Sequence, residues 1–117
     1  VLIIDDMISS GESMLDVAKQ IKERHPNRVF VCTTYGLFTD GLAKFDEYYE
    51  KGYLDKVITT NLNYRDPELL TRPYYVEANM SKYLASIMDI INHDVSVEKV
   101  RSSNTKIIDL MNKVRNN

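Results

Sequence analysis

The sequence predicts an α/β protein built on part of a doubly wound parallel sheet, truncated at its N-terminal side. Short apolar segments alternate with amphipathic helical segments, which favours parallel strands joined by helical crossovers. The length of 117 residues fits one domain. Val1 to Ile4 is an apolar run typical of a strand buried on both faces. Because this strand starts at the first residue, we expect the sheet to lack the strands on that side.

Composition excludes several classes of protein. Hydrophobic residues make up 44% and charged residues 27%, a balance typical of a folded globular chain rather than a disordered one. A net charge of -2 argues against a nucleic-acid backbone as the main partner. The sequence shows neither an apolar run long enough to cross a bilayer nor a secretory signal, so we expect no membrane association. The single Cys32 favours a reducing, cytoplasmic location.

The first strand leads into a polar loop and a helix. The loop is predicted from Asp5 to Gly11, and the helix from about Ser13, where one face becomes apolar. Ser13 and Asp16 have the spacing of a capping box, with Asp in place of the usual Glu. The helix should end before Pro26, because the residue before a proline disfavours helical backbone.

The remaining elements continue the alternation of strands and helices. A helix whose apolar stripe includes Phe45 should end at Gly52, a typical residue just beyond a helix C-terminus. Strands and helices are predicted, in order, at Arg28–Thr34, Leu42–Gly52, Val57–Thr60, Tyr74–Glu77, Ser81–Asn92 and Asn104–Val114. Val95–Asn104 is short and polar and reads as a linker. We therefore divide the chain into residues 1–94 and residues 95–117, the latter a linker and a C-terminal helix.

The segment VLIIDDMISSGES carries the strongest chemical signal. A helix N-terminus presents unpaired N–H groups and a partial positive charge, which attract phosphate. The serine hydroxyls add donors, and Gly11 allows a close approach of the backbone. Asp5 and Asp6 repel phosphate but suit sugar hydroxyls or a divalent metal. The segment fits a ribose 5-phosphate, although an acidic turn before a serine-capped helix explains the same residues about as well.

This segment resembles the phosphoribosyl-pyrophosphate loop of type I phosphoribosyltransferases and ribose-phosphate pyrophosphokinases. The resemblance continues collinearly to about His93, through TTYGLFTDG and VITTNL, and is strongest to the C-terminal domain of ribose-phosphate pyrophosphokinases (phosphoribosyl-pyrophosphate synthetases). It implies that the sheet is of the type I phosphoribosyltransferase kind.

The resemblance also implies a reaction and a binding site. The family transfers the β,γ-diphosphate of ATP to the anomeric hydroxyl of ribose 5-phosphate, using Mg²⁺, to give phosphoribosyl pyrophosphate and AMP. Ribose 5-phosphate or phosphoribosyl pyrophosphate is then expected at Asp5, Asp6, Ser9, Ser10, Gly11, Glu12 and Ser13. The family's Lys/Arg-bearing loop and its ATP contacts precede this motif. We therefore assign no catalytic or metal-binding residue and expect this chain alone to be inactive.

Two residues depart from the family pattern. Ser9 stands where an Asp is usual, and Glu12 stands where a Gly is usual. A carboxylate beside a phosphate is repulsive, so Glu12 must point to solvent or phosphate affinity falls. A residue with a Cβ also disfavours positive φ at this position, which affects the geometry of the turn.

Two other functions stay open. One is another type I phosphoribosyltransferase that salvages a nucleobase, although no convincing base-recognition element follows the loop. The other is a non-catalytic binding or regulatory module that kept the loop. In each case we expect the exposed sheet edge to pair with another copy, giving a homo-oligomer.

Overall fold

A computed structural model describes residues 1–93 and 103–115. The chain divides into two units, Val1–Met80 and Ser81–Asn117, which we describe separately. The predicted boundary after residue 94 lies outside the described residues, as does most of the predicted linker, so this division stays a prediction.

The first unit is a parallel sheet whose strands alternate with helices. Its elements are β1 Leu2–Ile8, α1 Glu12–Lys22, β2 Phe30–Gly36, α2 Ala43–Glu50, β3 Lys56–Thr60, α3 Pro67–Leu70 and β4 Tyr75–Ala78. The strand order is β1-β2-β3-β4, and every pairing is parallel. The prediction of a parallel α/β sheet is confirmed. A doubly wound sheet also needs a change in strand order, which these four strands do not contain, so that part stays a prediction.

One face of the sheet forms the core, and the other is more open. Val31 and Val57 are fully buried on the core face, where they pack with residues of α1 and α2. On the opposite face, Leu2 is 52% exposed and Ile4 is 75% exposed. The expectation that the first strand is buried on both faces is therefore wrong. Among the described residues, β1 pairs with β2 alone and is an edge strand. Its outward-facing Leu2 and Ile4 side chains are not covered as those of a central parallel strand would be.

Several local predictions also need correction. β1 continues through Asp5 and Asp6 to Ile8, where the sequence predicted a loop. α1 begins at Glu12, after Gly11 in the left-handed conformation, and no side chain caps it. Ser13 therefore lies inside the helix, and the predicted capping box does not form. The short helix α3, capped by the Asp66 carboxylate, was not predicted at all.

The second unit contains two described helices. α4 spans Ser81–Asn92 and α5 spans Ser103–Arg115, which confirms both predicted helices. The apolar side chains of α4 are half-buried or exposed; Met88, for example, is 70% exposed. Within the described residues, no helix is both long and apolar enough to cross a membrane.

Candidate functional site

A small cavity lies at the carboxyl end of β1, where the chain turns into α1. Its volume is about 160 Å³, and its wall consists of Asp5, Met7, Ile8, Ser9, Ser10, Gly11, Glu12, Ser13 and Met14. All but one of the predicted site residues therefore border a single cavity, and the exception is Asp6. The carboxyl ends of parallel strands are the usual place for ligands in α/β sheets.

The two acids lie on opposite faces of β1. Successive side chains of a strand alternate between faces, so only one of two adjacent residues can point toward a given cavity. Asp5 lines the cavity, and its Oδ1 accepts a hydrogen bond from the Asp6 N–H at 2.8 Å. Within residues 1–93 and 103–115, neither carboxylate takes part in an ion pair. Asp5 is thus available to a ligand in the cavity, while a role for Asp6 stays a prediction.

Backbone amides at the start of α1 belong to residues that line the cavity, and among the described residues they have no close hydrogen-bond acceptor. The first hydrogen bond of the helix runs from the Leu15 N–H to the Gly11 carbonyl at 2.9 Å. No described residue accepts a hydrogen bond from the N–H of Ser13 or Met14, and the Glu12 N–H has only a long contact of 3.5 Å to Ser10 Oγ. Such unpaired amides, with the positive end of the helix dipole, form an anion-binding arrangement.

Gly11 is required at the turn for two separate reasons. Its φ of 86° is in the left-handed region that favours glycine. A Cβ at this position would lie 2.6 Å from Phe45 Cε2 and closer still to Cζ. Phe45 is fully buried, so its ring has little room to move away. The ring of Phe45 therefore packs directly against the turn at Gly11.

The turn is also fixed by the segment that follows β2. The Leu37 N–H donates to the Ile8 carbonyl at 2.8 Å, and the Thr39 N–H donates to the Ser9 carbonyl at 3.0 Å. Phe38, with a φ of 50°, packs edge-to-face on Phe45 with 5.0 Å between the ring centroids. These contacts give the Ile8 and Ser9 carbonyls partners in the segment after β2, and they hold the turn against that segment.

Glu12 is paired with a lysine of the next helix. Its carboxylate forms an ion pair with Lys44 of α2. The hydrogen bond and the charge of Lys44 lower the pKa of Glu12, so this carboxylate is ionised at neutral pH. The Glu12 side chain is 60% exposed, in agreement with the expectation that it points to solvent. The turn's positive φ falls on Gly11, so Glu12 adopts helical backbone without strain.

Other polar residues at this edge of the sheet have structural partners. Thr59, buried in the core, shares a hydrogen bond of 2.8 Å with the Tyr75 hydroxyl. The Thr60 hydroxyl donates to the Thr34 carbonyl at 2.6 Å. Both contacts favour the interpretation that the end of β3 is structural. A second cavity of about 200 Å³, lined partly by Leu37 and Phe38, lies beside the segment after β2.

The described residues offer limited ligands for a metal. No three side chains of His, Cys, Asp or Glu cluster so as to hold a metal ion in residues 1–93 and 103–115. Mg²⁺ usually keeps several waters and takes one or two carboxylates together with substrate phosphates. Asp5 could supply one such carboxylate, since it lines the cavity.

Comparison with known proteins identifies the family. Residues 1–100 match the model of the phosphoribosyl synthetase-associated domain. The chain belongs to this family. The ribose-phosphate pyrophosphokinase of Shewanella oneidensis is 30% identical over 101 residues, which cover 86% of this chain and 31% of that protein. The chain is therefore related to ribose-phosphate pyrophosphokinases, which confirms the resemblance at this level.

A human protein and a solved structure are also similar to this chain. Human phosphoribosyl pyrophosphate synthase-associated protein 2 is 27% identical over 96 residues, which cover 82% of this chain and 25% of that protein. The crystal structure of phosphoribosylpyrophosphate synthetase from Mycobacterium smegmatis superposes with a TM-score of 0.67 at 19% identity, over 80% of this chain and 30% of that one. This structure shows a shared fold. The chain spans about a third of the length of these relatives or less.

Sequence reasoning missed two residues that shape the site. Phe45 was assigned to the apolar stripe of a helix, and Lys44 was given no role. Both lie more than thirty positions after the loop in sequence, and only the packing of α2 brings them to Gly11 and Glu12. No local pattern in the sequence indicates either contact.

Proposed function

We propose that this chain provides the ribose 5-phosphate site of a ribose-phosphate pyrophosphokinase. The observation that carries the proposal is the position of the free Ser13 and Met14 amides in the same small cavity as the Asp5 carboxylate. An anion suits the amides, and sugar hydroxyls suit the carboxylate. Ribose 5-phosphate, or phosphoribosyl pyrophosphate after the reaction, carries both groups on one small molecule.

Each part of the site has a distinct role in this proposal. The amides of Ser13 and Met14 bind the 5-phosphate, and the hydroxyls of Ser9 and Ser10 add donors. Asp5 accepts a hydrogen bond from a ribose hydroxyl and so fixes the rotation of the sugar. The phosphate contact and the sugar contact together fix the orientation of the anomeric hydroxyl. Diphosphate transfer needs positioning and charge neutralisation more than covalent help, so such fixation is a direct contribution to catalysis.

We assign the binding of ATP and the catalytic Lys and Arg side chains to residues outside these 117. The relatives named as pyrophosphokinases are about three times as long as the matched region, which leaves room for an ATP site and a Lys/Arg-bearing loop. Mg²⁺ supplies charge neutralisation on the transferred diphosphate when it is bound, with Asp5 as the carboxylate nearest the sugar. We therefore propose that this chain alone binds ribose 5-phosphate without turnover.

A second candidate is a non-catalytic phosphoribosyl-binding module. It is favoured by the family match and by the human relative, whose name describes a synthase-associated protein. Both candidates predict ribose 5-phosphate binding by this chain. They differ for the full-length protein: the enzyme forms AMP from ATP and ribose 5-phosphate, and the module does not.

Replacing Asp5 tests the sugar contact. We expect Asp5→Asn to weaken ribose 5-phosphate binding about tenfold or more, because the amide loses a charge-assisted hydrogen bond with a sugar hydroxyl. Isothermal titration calorimetry measures this, with inorganic phosphate as a second ligand that should bind the variant no more weakly. Asp16→Asn is the matched control, since this exposed residue of α1 loses the same charge outside the cavity wall. Equal effects of the two substitutions contradict the proposed role of Asp5.

We also propose that the chain self-associates through the edge of β1. In the part of the chain that the structure describes, this strand has a partner on one side only, and its Leu2 and Ile4 side chains are largely exposed. An unpaired apolar edge favours pairing with another copy. Sedimentation at increasing concentration should show a dimer or larger species, and Ile4→Lys should shift the equilibrium toward monomer. A wild-type chain that stays monomeric at high concentration contradicts this.

A further inference from the structure

We infer that Lys44 is a positioning residue for phosphate binding, which acts by neutralising Glu12 at the rim of the loop. The inference rests on the proposed function, since it concerns affinity for the same ribose 5-phosphate. Its basis is the ion pair between the two side chains, which joins the first turn of α1 to the first turn of α2.

Glu12 places a negative charge at a position that is unfavourable for phosphate binding. It is the first residue of α1 and part of the cavity wall, beside the amides that would bind phosphate. A carboxylate at a helix N-terminus is favourable to the free helix, because it interacts with the same dipole and amides as a phosphate would. An unpaired Glu12 would therefore both compete with the phosphate and repel it.

The ion pair between Lys44 and Glu12 reduces both the competition and the repulsion between Glu12 and a phosphate. Lys44 does not line the cavity, so it acts on the ligand through Glu12 rather than by direct contact. Its ammonium group holds the carboxylate on the side of α2, and the pair carries no net charge. The repulsion between a phosphate and Glu12 is thus reduced to the weaker effect of a dipole. Phe45, the residue after Lys44, contacts the turn at Gly11, so the backbone of α2 is fixed close to the loop.

A double-mutant cycle on the 117-residue chain tests this inference. We expect Lys44→Ala to weaken ribose 5-phosphate binding about threefold to tenfold at low salt, because it leaves Glu12 unpaired near the phosphate. The loss should shrink at high salt, which screens exposed charges. Lys44→Arg should restore most of the affinity. In a Glu12→Gln background, Lys44→Ala should change the affinity by less than about twofold, since the repelling charge is absent.

Lys51→Ala is the matched control for the cycle. Lys51 forms an exposed ion pair with Glu47 on the same helix, away from the cavity, so its removal changes the net charge equally. We expect it to leave affinity within about twofold of wild type. Circular dichroism and thermal melting of each variant confirm that the fold is kept.

The outcomes separate the inference from the proposed function. If the wild-type chain does not bind ribose 5-phosphate, the proposed function fails. If it binds but Lys44→Ala weakens affinity equally with Glu12 or Gln at position 12, Lys44 acts independently of Glu12 and the inference is overturned. A Lys44→Ala variant that binds like the wild type overturns it as well.

Discussion

Gly11→Ala is expected to destabilise the fold by about 2–4 kcal/mol and to reduce ribose 5-phosphate affinity by more than tenfold. The new methyl group meets the buried ring of Phe45, and the φ of 86° costs an alanine about 1 kcal/mol in addition. To relieve the contact, the turn must move away from α2, which displaces the amides at the start of α1. Thermal or urea unfolding measures the first effect, and calorimetric titration measures the second.

Gly52→Ala separates the two causes of this effect. Gly52 has a φ of 73°, and a Cβ there would meet nothing within 4 Å. We expect this control to cost only the backbone term of about 1 kcal/mol and to leave ligand affinity unchanged. If Gly11→Ala lowers the free energy of unfolding no more than Gly52→Ala does, the close contact with Phe45 does not constrain the turn. The role given to Phe45 is then wrong.

Asp46→Ala is expected to reduce the free energy of unfolding by about 2–4 kcal/mol. The Asp46 carboxylate accepts hydrogen bonds from Arg72 Nε at 2.9 Å and from the Tyr74 hydroxyl at 2.8 Å. Tyr74 is only 1% exposed, and burial, followed by its hydrogen bond to Asp46, raises the pKa of its hydroxyl. Without Asp46 this hydroxyl has no other acceptor among residues 1–93 and 103–115, and α2 loses the hydrogen bonds of Asp46 to Arg72 and Tyr74, which precede β4.

The neighbouring residue provides the control for Asp46. Glu47→Ala removes one carboxylate from the same helix and breaks an ion pair with Lys51, but that pair is about half exposed. Exposed pairs contribute little, so we expect a loss of about 0.5 kcal/mol or less. Tyr74→Phe should cost about 1 kcal/mol, since it removes the donor and leaves the Arg72 contact. Similar losses for Asp46→Ala and Glu47→Ala contradict the structural role of this network.

Much of the fold was predictable because its signals are local. The apolar stripe of α1 and the alternation of strands and helices are repeating patterns of adjacent residues. Six of the seven candidate site residues border one cavity, because the loop that carries them is continuous in sequence. β1 was predicted too short, because Asp5 and Asp6 disfavour strands, yet pairing of this strand with β2 extends it past them. Tertiary pairing overrode local preference.

The remaining features depend on contacts between distant parts of the chain. The 75% exposure of Ile4 depends on what packs against its face of the sheet, and a single sequence does not show this. The capping box failed because the N-cap of α1 is Gly11, two positions before Ser13, so Ser13 lies inside the helix. Phe45 and Lys44 reach the loop only through the packing of α2. The sequence therefore indicates where the candidate site lies, whereas the contacts of Phe45 and Lys44 with the loop are found only from the structure.

The central claim is that the amides at the start of α1 bind the phosphate of a ribose 5-phosphate whose sugar contacts Asp5. The most direct test is a titration of the ¹⁵N-labelled chain with ribose 5-phosphate, followed by amide chemical shifts. We predict saturable shifts that are largest at Ser13 and Met14, smaller shifts of the same residues with inorganic phosphate, and none with ribose alone. Ribose 5-phosphate that leaves these two amides unshifted, or shifts a different part of the chain, would contradict the account.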